Sequence, residues 1–425
     1  MALRGPHATI DRLPFRTITA PPMRPPVATP MHPLALCRLA LLRLALLLAA
    51  SLLAATAQAE TLIAGPDGAP LALARAVAQA RDGDVIELLP GEYRGPIVIE
   101  QRKLTLRGMG KVTVRGETPR PNNGPQAAKA LWTVRGGEVT VENVEFRGAR
   151  SADGAGAGIR QEGGALTVRE CRFFDNEHGL LAAADERATL TIERSVFGSA
   201  PKVVGGLHHL LNVGRIARLH VTGSRFQQGF EGHLIKTRAR ESFIGYNFIH
   251  DGVRGGASYE IEVANGGLAT IIGNVIAQGV DNQNPTLVAY GSEGRAWEVN
   301  QLLLAHNTLV NYGWTPAWML RTFLDRLPAG AEVHAVNNLL VGPGVFAWGA
   351  SGRFAGNRHV VARMLADIDT YAFELPPDSI WRGSGIDPRN VGGHDLSPKF
   401  EFEWPLGGRP IEPGRTSWTP GAYQR

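Results

Sequence analysis

The 425-residue chain carries 44 lysines and arginines against 39 acidic side chains, a formal charge of +5, and its apolar and charged fractions of 44% and 20% are those of a protein with a sizeable core. The excess positive charge lies in the first 59 residues: Arg4, Arg12, Arg16, Arg24, Arg38 and Arg43 against Asp11 leave 38 charges of each sign in the remainder. A neutral body excludes nucleic-acid binding by net charge, so any basic feature must be local. Cys37 belongs to the same leader, and the lone Cys171 that remains excludes both an internal disulfide and a cysteine-type metal site.

In chain order, the first recognisable element begins at Met31. There MHPLALCRLALLRLALLLAASLLAATAQA places Arg38 and Arg43 around the start of an apolar run, Leu44 to Ala55, that closes on Ala57-Gln58-Ala59. This is the layout of a secretory signal, with mature numbering from Glu60 and a signal proper of about 31–59. The run is short for a membrane span, so the expectation is a secreted or periplasmic chain with no stable membrane insertion after cleavage. Residues 1–30 lack that layout, and Met23 and Met31 are alternative starts. Next, PLALARAVAQAR (70–81) has Pro70 at its start, a Leu73/Val77 stripe and Asp82-Gly83 at its stop, which predicts a capping helix.

A repeat then decides the fold class. The runs VTVENVEF, LTVRECRF, LTIERSVF, LHVTGSRF, SFIGYNFI, ATIIGNVI, LLLAHNTL and VHAVNNLL end at Phe146, Phe173, Phe197, Phe226, Ile249, Ile276, Leu309 and Leu340, with gaps of 23 to 33 residues. Five positions earlier each has an apolar residue, from Val141 to Ala335. Two positions before the end stand Val144, Cys171, Ser195, Ser224, Asn247, Asn274, Asn307 and Asn338. Alternating apolar residues at such a period predict an all-β, right-handed parallel β-helix whose core forms only by stacking coils. The four asparagines are expected at a bend, taking left-handed backbone angles and laddering from coil to coil. The predicted boundaries are a β-helix over 60–355 and an irregular tail, 356–425, that packs along or caps it.

A second strand precedes several copies, in HLLNVG, HLIKTR, YEIEVA and TLVAYG. Strand parity that turns Leu211, Ile235, Ile261 and Val288 inward sends Asn212, Lys236, Glu262 and Ala289 outward, with Arg238 and Glu260 flanking them. The alternating Lys236, Arg238 and Arg240 are thereby read as one outer polar site, bordered by His208, His209, His233 and Tyr259, with Tyr290 and Trp314 available to stack on sugar rings. The competing reading is a solvated face whose charges pair with Glu231, Glu241, Glu260 and Glu262.

The opening DGDVIELLPGEY and the repeated turn asparagines resemble the β-helix proteins of the pectate-lyase-like superfamily over about residues 61–355. Within it, GHLIKTRARESFIGYNFI resembles alginate-lyase and chondroitinase-B-like polysaccharide lyases. That resemblance implies Lys236 as the proton-abstracting base, an arginine on a following coil, and calcium held by acidic side chains. Here Gly232-His233 replaces the acidic pair, with Glu231 alone remaining, and YEIEVANGG supplies no arginine.

β-Elimination from a uronate needs its carboxylate neutralised, a base, and a donor for the leaving oxygen. Arg238 or Arg240 suits the first role, Lys236 the second, and Tyr259 or His209 the third. Asn212, His233, Arg240, Glu260, Glu262 and Tyr290 are the expected substrate contacts, and an acidic polysaccharide is the expected partner. Two alternatives stand beside the lyase: a non-catalytic glycan- or surface-binding β-helix, and a glycoside hydrolase using Glu260 and Glu262 as an acid/base pair. No Walker motif, dinucleotide fingerprint, nucleophile elbow or zinc-spaced set offers another class.

Overall fold

A computed structural model describes residues 59–66, 68–116, 129–347 and 350–425. The leader and its signal therefore lie outside the described residues. From Thr61 the chain winds into coils of three strand segments each, as in Ile235–Thr237, Glu241–Gly245 and Phe248–His250. Each segment pairs in parallel with its counterparts in the coils before and after. The first two segments belong to a 19-stranded sheet, the third to an 11-stranded one. In the early coils the first two merge into single strands such as Ala130–Glu142 and Ala157–Arg169.

The repeat falls into register residue by residue. Phe146, Phe173, Phe197, Phe226, Ile249, Ile276, Leu309 and Leu340 form one stacked inner column. Val141 through Val221, Ile244 and Ile271 to Ala335 form another. The four phenylalanines stack at centroid distances of 5.1, 4.4 and 4.8 Å. Burying each is worth about 1.5 to 3 kcal/mol, and each ring pair adds about 0.5 to 1.5. The two columns lie in different sheets, so each run spans the bend between them.

At that bend the asparagines do ladder, but they are not the left-handed residues. The positive φ falls one position earlier, at Tyr246 (59°), Gly273 (66°) and His306 (52°). That reversal turns the next side chain inward, where Asn247, Asn274, Asn307 and Asn338 are fully buried. Each amide oxygen accepts the backbone N–H of the rung before it, at 2.9 to 3.0 Å. Asn357 continues the ladder by accepting from the Asn338 N–H at 2.9 Å, and strand pairing runs on to Val360.

The first-coil helix spans Leu73–Gln79, shorter than its apolar stripe predicts because Ala72 offers no capping side chain. Beyond the last strand the tail turns back along the coils. Its Lys399 N–H donates to Tyr246 Oη at 3.0 Å, Gly407 N–H to the Gly223 carbonyl at 2.9 Å, and Ala422 N–H to Thr308 Oγ1 at 3.0 Å. No helix among the described residues is long and apolar enough to cross a membrane.

Candidate functional site

Leu210, Leu234, Leu287 and Met319 are buried core residues, and so are Leu211, Ile235, Val288 and Leu320 immediately after them. Two consecutive side chains point inward because the sheet turns a corner there. The corner divides the outer surface into two columns. Beyond it, Arg160, Leu181, Asn212, Lys236, Glu262, Ala289 and Arg321 occupy successive coils in register. Before it, His178, His209, His233 and Tyr259 stack ring on ring at 5.7, 4.7 and 4.7 Å.

Lys236 is the centre of the first column. Its Nζ lies 2.7 Å from Glu262 Oε2 and 2.9 Å from Glu293 Oε1. Arg238 grips Glu293 in a two-point contact, Nε to Oε2 at 2.6 Å and Nη2 to Oε1 at 2.7 Å, and donates to Asn212 Oδ1 at 3.3 Å. Glu262 also meets His233 Nε2 at 3.1 Å and accepts from Ser292 Oγ at 2.6 Å. Arg326 donates to the Ser292 carbonyl and so braces this contact. Burial disfavours the charge of Glu262, but the His233 hydrogen bond and the Lys236 ammonium outweigh it and hold the carboxyl well below the usual carboxylate range. At Glu293 burial is likewise outweighed, by Arg238 and Lys236, and its carboxyl is also lowered.

Within the ring column, His209 and His233 have a defined tautomer. The backbone N–H groups of His209, His233 and Tyr259 donate to Nδ1 of His178, His209 and His233 at 3.3, 2.8 and 3.2 Å. A neutral imidazole accepting at Nδ1 carries its proton on Nε2, so His233 offers Nε2–H to Glu262. Charging His209 would sacrifice the His233 N–H bond. Burial, followed by the neighbouring His233, already holds its pKa well below the ordinary value. Neutral His209 is therefore a rung of the stack rather than a proton carrier. Tyr259 keeps its phenolic proton, since burial and then the Glu262 charge raise its pKa.

The expectations for Glu260, for its pairing with Glu262, for Tyr290 and for Arg240 are corrected by this geometry. Glu260 does not flank Lys236: at the corner it takes the inward place that leucine holds in neighbouring coils, is fully buried, and lies 3.3 Å from Gln278 Nε2. Burial, then the nearby Asp251, pushes its carboxyl well above the usual range, so Glu260 and Glu262 are not an acid/base pair. Tyr290 is no sugar platform, being a fully buried core ring whose Oη donates to the Gly267 carbonyl at 2.7 Å. Arg240 lies outside the Lys236 cluster, because the strand ends at Thr237 and its guanidinium instead approaches Trp297, at 5.9 Å. Trp314 is 95% exposed and stacks on no ring among the described residues.

The residues present do not fit the calcium that the lyase resemblance implies. Glu262 and Glu293 both face the Lys236 ammonium, Glu293 also the Arg238 guanidinium and Glu262 the His233 ring, and among the described residues no group of three or more His, Cys, Asp or Glu side chains forms a ligand set. Sequence reasoning missed Glu293, Ser292, Arg321 and Arg326, which arrive from loops or from coils beyond the four aligned segments. It also missed His178, although its place two residues before Leu180 matches that of His209 before Leu211. Among the described residues Arg321 has no carboxylate partner, and its guanidinium lies 4.8 Å from the Phe323 ring and 5.8 Å from Trp318.

No family model and no curated protein matches the chain. Among solved structures it is similar to the pectate lyase Pel9A, with a TM-score of 0.60 and 16% identity over 86% of this chain and 96% of that one. Escherichia coli YbhC aligns at a TM-score of 0.31 and 11% identity, over 68% and 72% of the two chains. The first likeness, with the parallel register along both sheets, makes the chain a parallel β-helix of pectate-lyase-like fold.

Proposed function

We propose that this is an exported carbohydrate-active protein that takes an acidic, uronate-containing polysaccharide along the Asn212–Arg321 column and cleaves it by β-elimination. The observation that carries the reading is Lys236, an outward lysine in a column of stacked coils, beside a two-point carboxylate grip at Arg238 and the unpaired Arg321. Arg238 neutralises the uronate carboxylate and so acidifies the adjacent C–H bond. Tyr259 donates its phenolic proton to the leaving oxygen. Lys236 takes the carbon-bound proton as the neutral amine, so its ammonium must first release a proton to solvent once Glu293 has moved away, and the abstraction returns it to the ammonium form.

Hydrolysis is disfavoured, because the carboxyls at the site, Glu262 and Glu293, are both lowered and neither is held protonated to act as the acid. The two-carboxylate clamp on Lys236 favours one second reading, an acidic-glycan-binding module without turnover.

The test is to incubate the purified chain with alginate, pectate, chondroitin and heparan-type polymers and follow the absorbance of unsaturated uronate ends. On the polymer that is cleaved, Lys236→Ala should lower turnover about a hundredfold or more while circular dichroism still shows the folded β-helix, with a lowered melting temperature because the buried Glu262 loses its ammonium partner. Binding without unsaturated product would select the second reading. Near-wild-type turnover in the variant would remove Lys236 from the chemistry.

A further inference from the structure

Glu293 reaches Lys236 from an unexpected distance along the molecule. It stands in the loop after the strand Thr286–Tyr290, two coils beyond Ile235–Thr237. Its carboxylate meets Arg238 through two parallel N–H contacts and Lys236 through a third. A uronate carboxylate would adopt the same arrangement on this pair of cations. We infer that Lys236 and Arg238 form a subsite for a glycan carboxylate, and that Glu293 fills it from within the chain until a ligand displaces it. This inference rests on the acidic-glycan reading given above.

Three features single out Glu293 as the exchangeable anion. First, it lies at the mouth: its side chain is 33% exposed and that of Arg238 26%, against 5% for Glu262. Glu262 is the fixed counter-ion underneath, held by Lys236, His233 and Ser292.

Second, the loop does not depend on the Glu293 carboxylate. The Glu293 backbone N–H donates to the Ala264 carbonyl at 2.9 Å and Asn265 Nδ2 to the Gly294 carbonyl at 2.9 Å. Arg215 donates to the Arg295 carbonyl at 2.6 Å, and Trp297 Nε1 to the Arg238 carbonyl at 3.1 Å. With these anchors in place, the side chain can rotate into solvent while the backbone stays.

Third, the exchange is charge-neutral at the site. One carboxylate replaces another on the same two cations, so neither Lys236 nor Arg238 is left unpaired at any stage that matters for affinity. A neutral sugar offers no such exchange and would have to bind beside Glu293 rather than in its place. Occupation by Glu293 thus selects for acidic residues and lowers apparent affinity for all of them by the fraction of time the subsite is filled.

The experiment is calorimetric titration of the full chain, Glu293→Gln and Glu293→Asp with oligogalacturonate, with oligomannuronate, and with methyl-esterified oligogalacturonate as the uncharged control. The Asp variant keeps the charge but shortens the reach, so it remains informative if the Gln variant folds poorly. Both variants should bind at least one free uronate about tenfold or more tightly than wild type, with the ester unchanged. If wild type binds a uronate and both folded variants bind it no better, Glu293 is part of the binding face and the inference is overturned, while the acidic-glycan reading stands. If none of the three chains binds either uronate, that reading fails and the inference falls with it.

Discussion

Replacing Asn274 by alanine tests the side-chain ladder that ties the coils together. The Asn274 amide accepts the Asn247 backbone N–H at 2.9 Å and Asn247 Nδ2 at 3.0 Å. It donates to the Ile244 carbonyl at 2.8 Å and to Asn307 Oδ1 at 2.9 Å. Alanine removes all of these bonds from a fully buried position. Asn307 Oδ1 keeps the Asn274 backbone N–H and Asn247 Nδ2 keeps the Val221 carbonyl, but the Asn247 backbone N–H loses its partner. An orphaned buried donor costs about 1 to 3 kcal/mol and each of the three further lost bonds about 1, which gives about 4 to 6 kcal/mol in total.

Serine at the same position restores an acceptor, as Ser224 Oγ already accepts the Ser195 N–H at 3.1 Å, and should cost about 1 to 2 kcal/mol. Equilibrium denaturation followed by circular dichroism gives both values, and amide exchange reports whether the loss is confined to the coils beside Asn274. A loss below about 1 kcal/mol for alanine, or equal losses for alanine and serine, would refute the view that the amide cross-links carry stability.

Two further outcomes are expected besides those for Lys236 and Glu293. Burial raises the Asp251 carboxyl to about 7 against its ordinary 3.8, so the folded state holds a proton that the unfolded chain has released. Asp251 therefore contributes a loss of stability as pH climbs from about 4 to 7, at most about 4 kcal/mol, and denaturation midpoints of Asp251→Asn should fall less steeply across that window. Parallel profiles for the two proteins would count against it. Tyr290→Phe should cost about 1 kcal/mol by removing one of the two hydrogen bonds at the Gly267 carbonyl, which keeps the Gln301 N–H at 3.0 Å, with no effect on glycan binding; altered binding at unchanged stability would restore Tyr290 to the site.

The core was legible because a strand solenoid repeats its inner residues at a fixed offset, and the columns ending in Phe226 and Ile249 need nothing more than that offset. Lys236, Asn212 and Glu262 were legible for the same reason, lying one step beyond an inward residue. Glu260 was misplaced because strand parity assumes a continuous extended chain, and the corner after it places two neighbours on the same side. Tyr290 lies two residues after the inward Val288 and in register with Val263, so strand parity and not aromatic character decides where it points. Glu293 was out of reach, since its loop is free of the repeat and nothing in its sequence says that it folds back onto an earlier coil.

The bend column changes material along the molecule. Cys171, Ser195 and Ser224 link neighbouring coils chiefly through single backbone-to-side-chain contacts, whereas Asn247, Asn274, Asn307 and Asn338 add amide-to-amide contacts at 2.9 to 3.0 Å. The bend of the β-helix is thus cross-linked unevenly, with its doubly bonded half toward the tail. Lys236 lies in the coil whose bend holds Asn247, the first of the doubly bonded ones, with Arg160 and Leu181 on the singly bonded side and Ala289 and Arg321 on the other. On the proposed reading, a polymer lying along the outer column would cross the change from singly to doubly bonded bends.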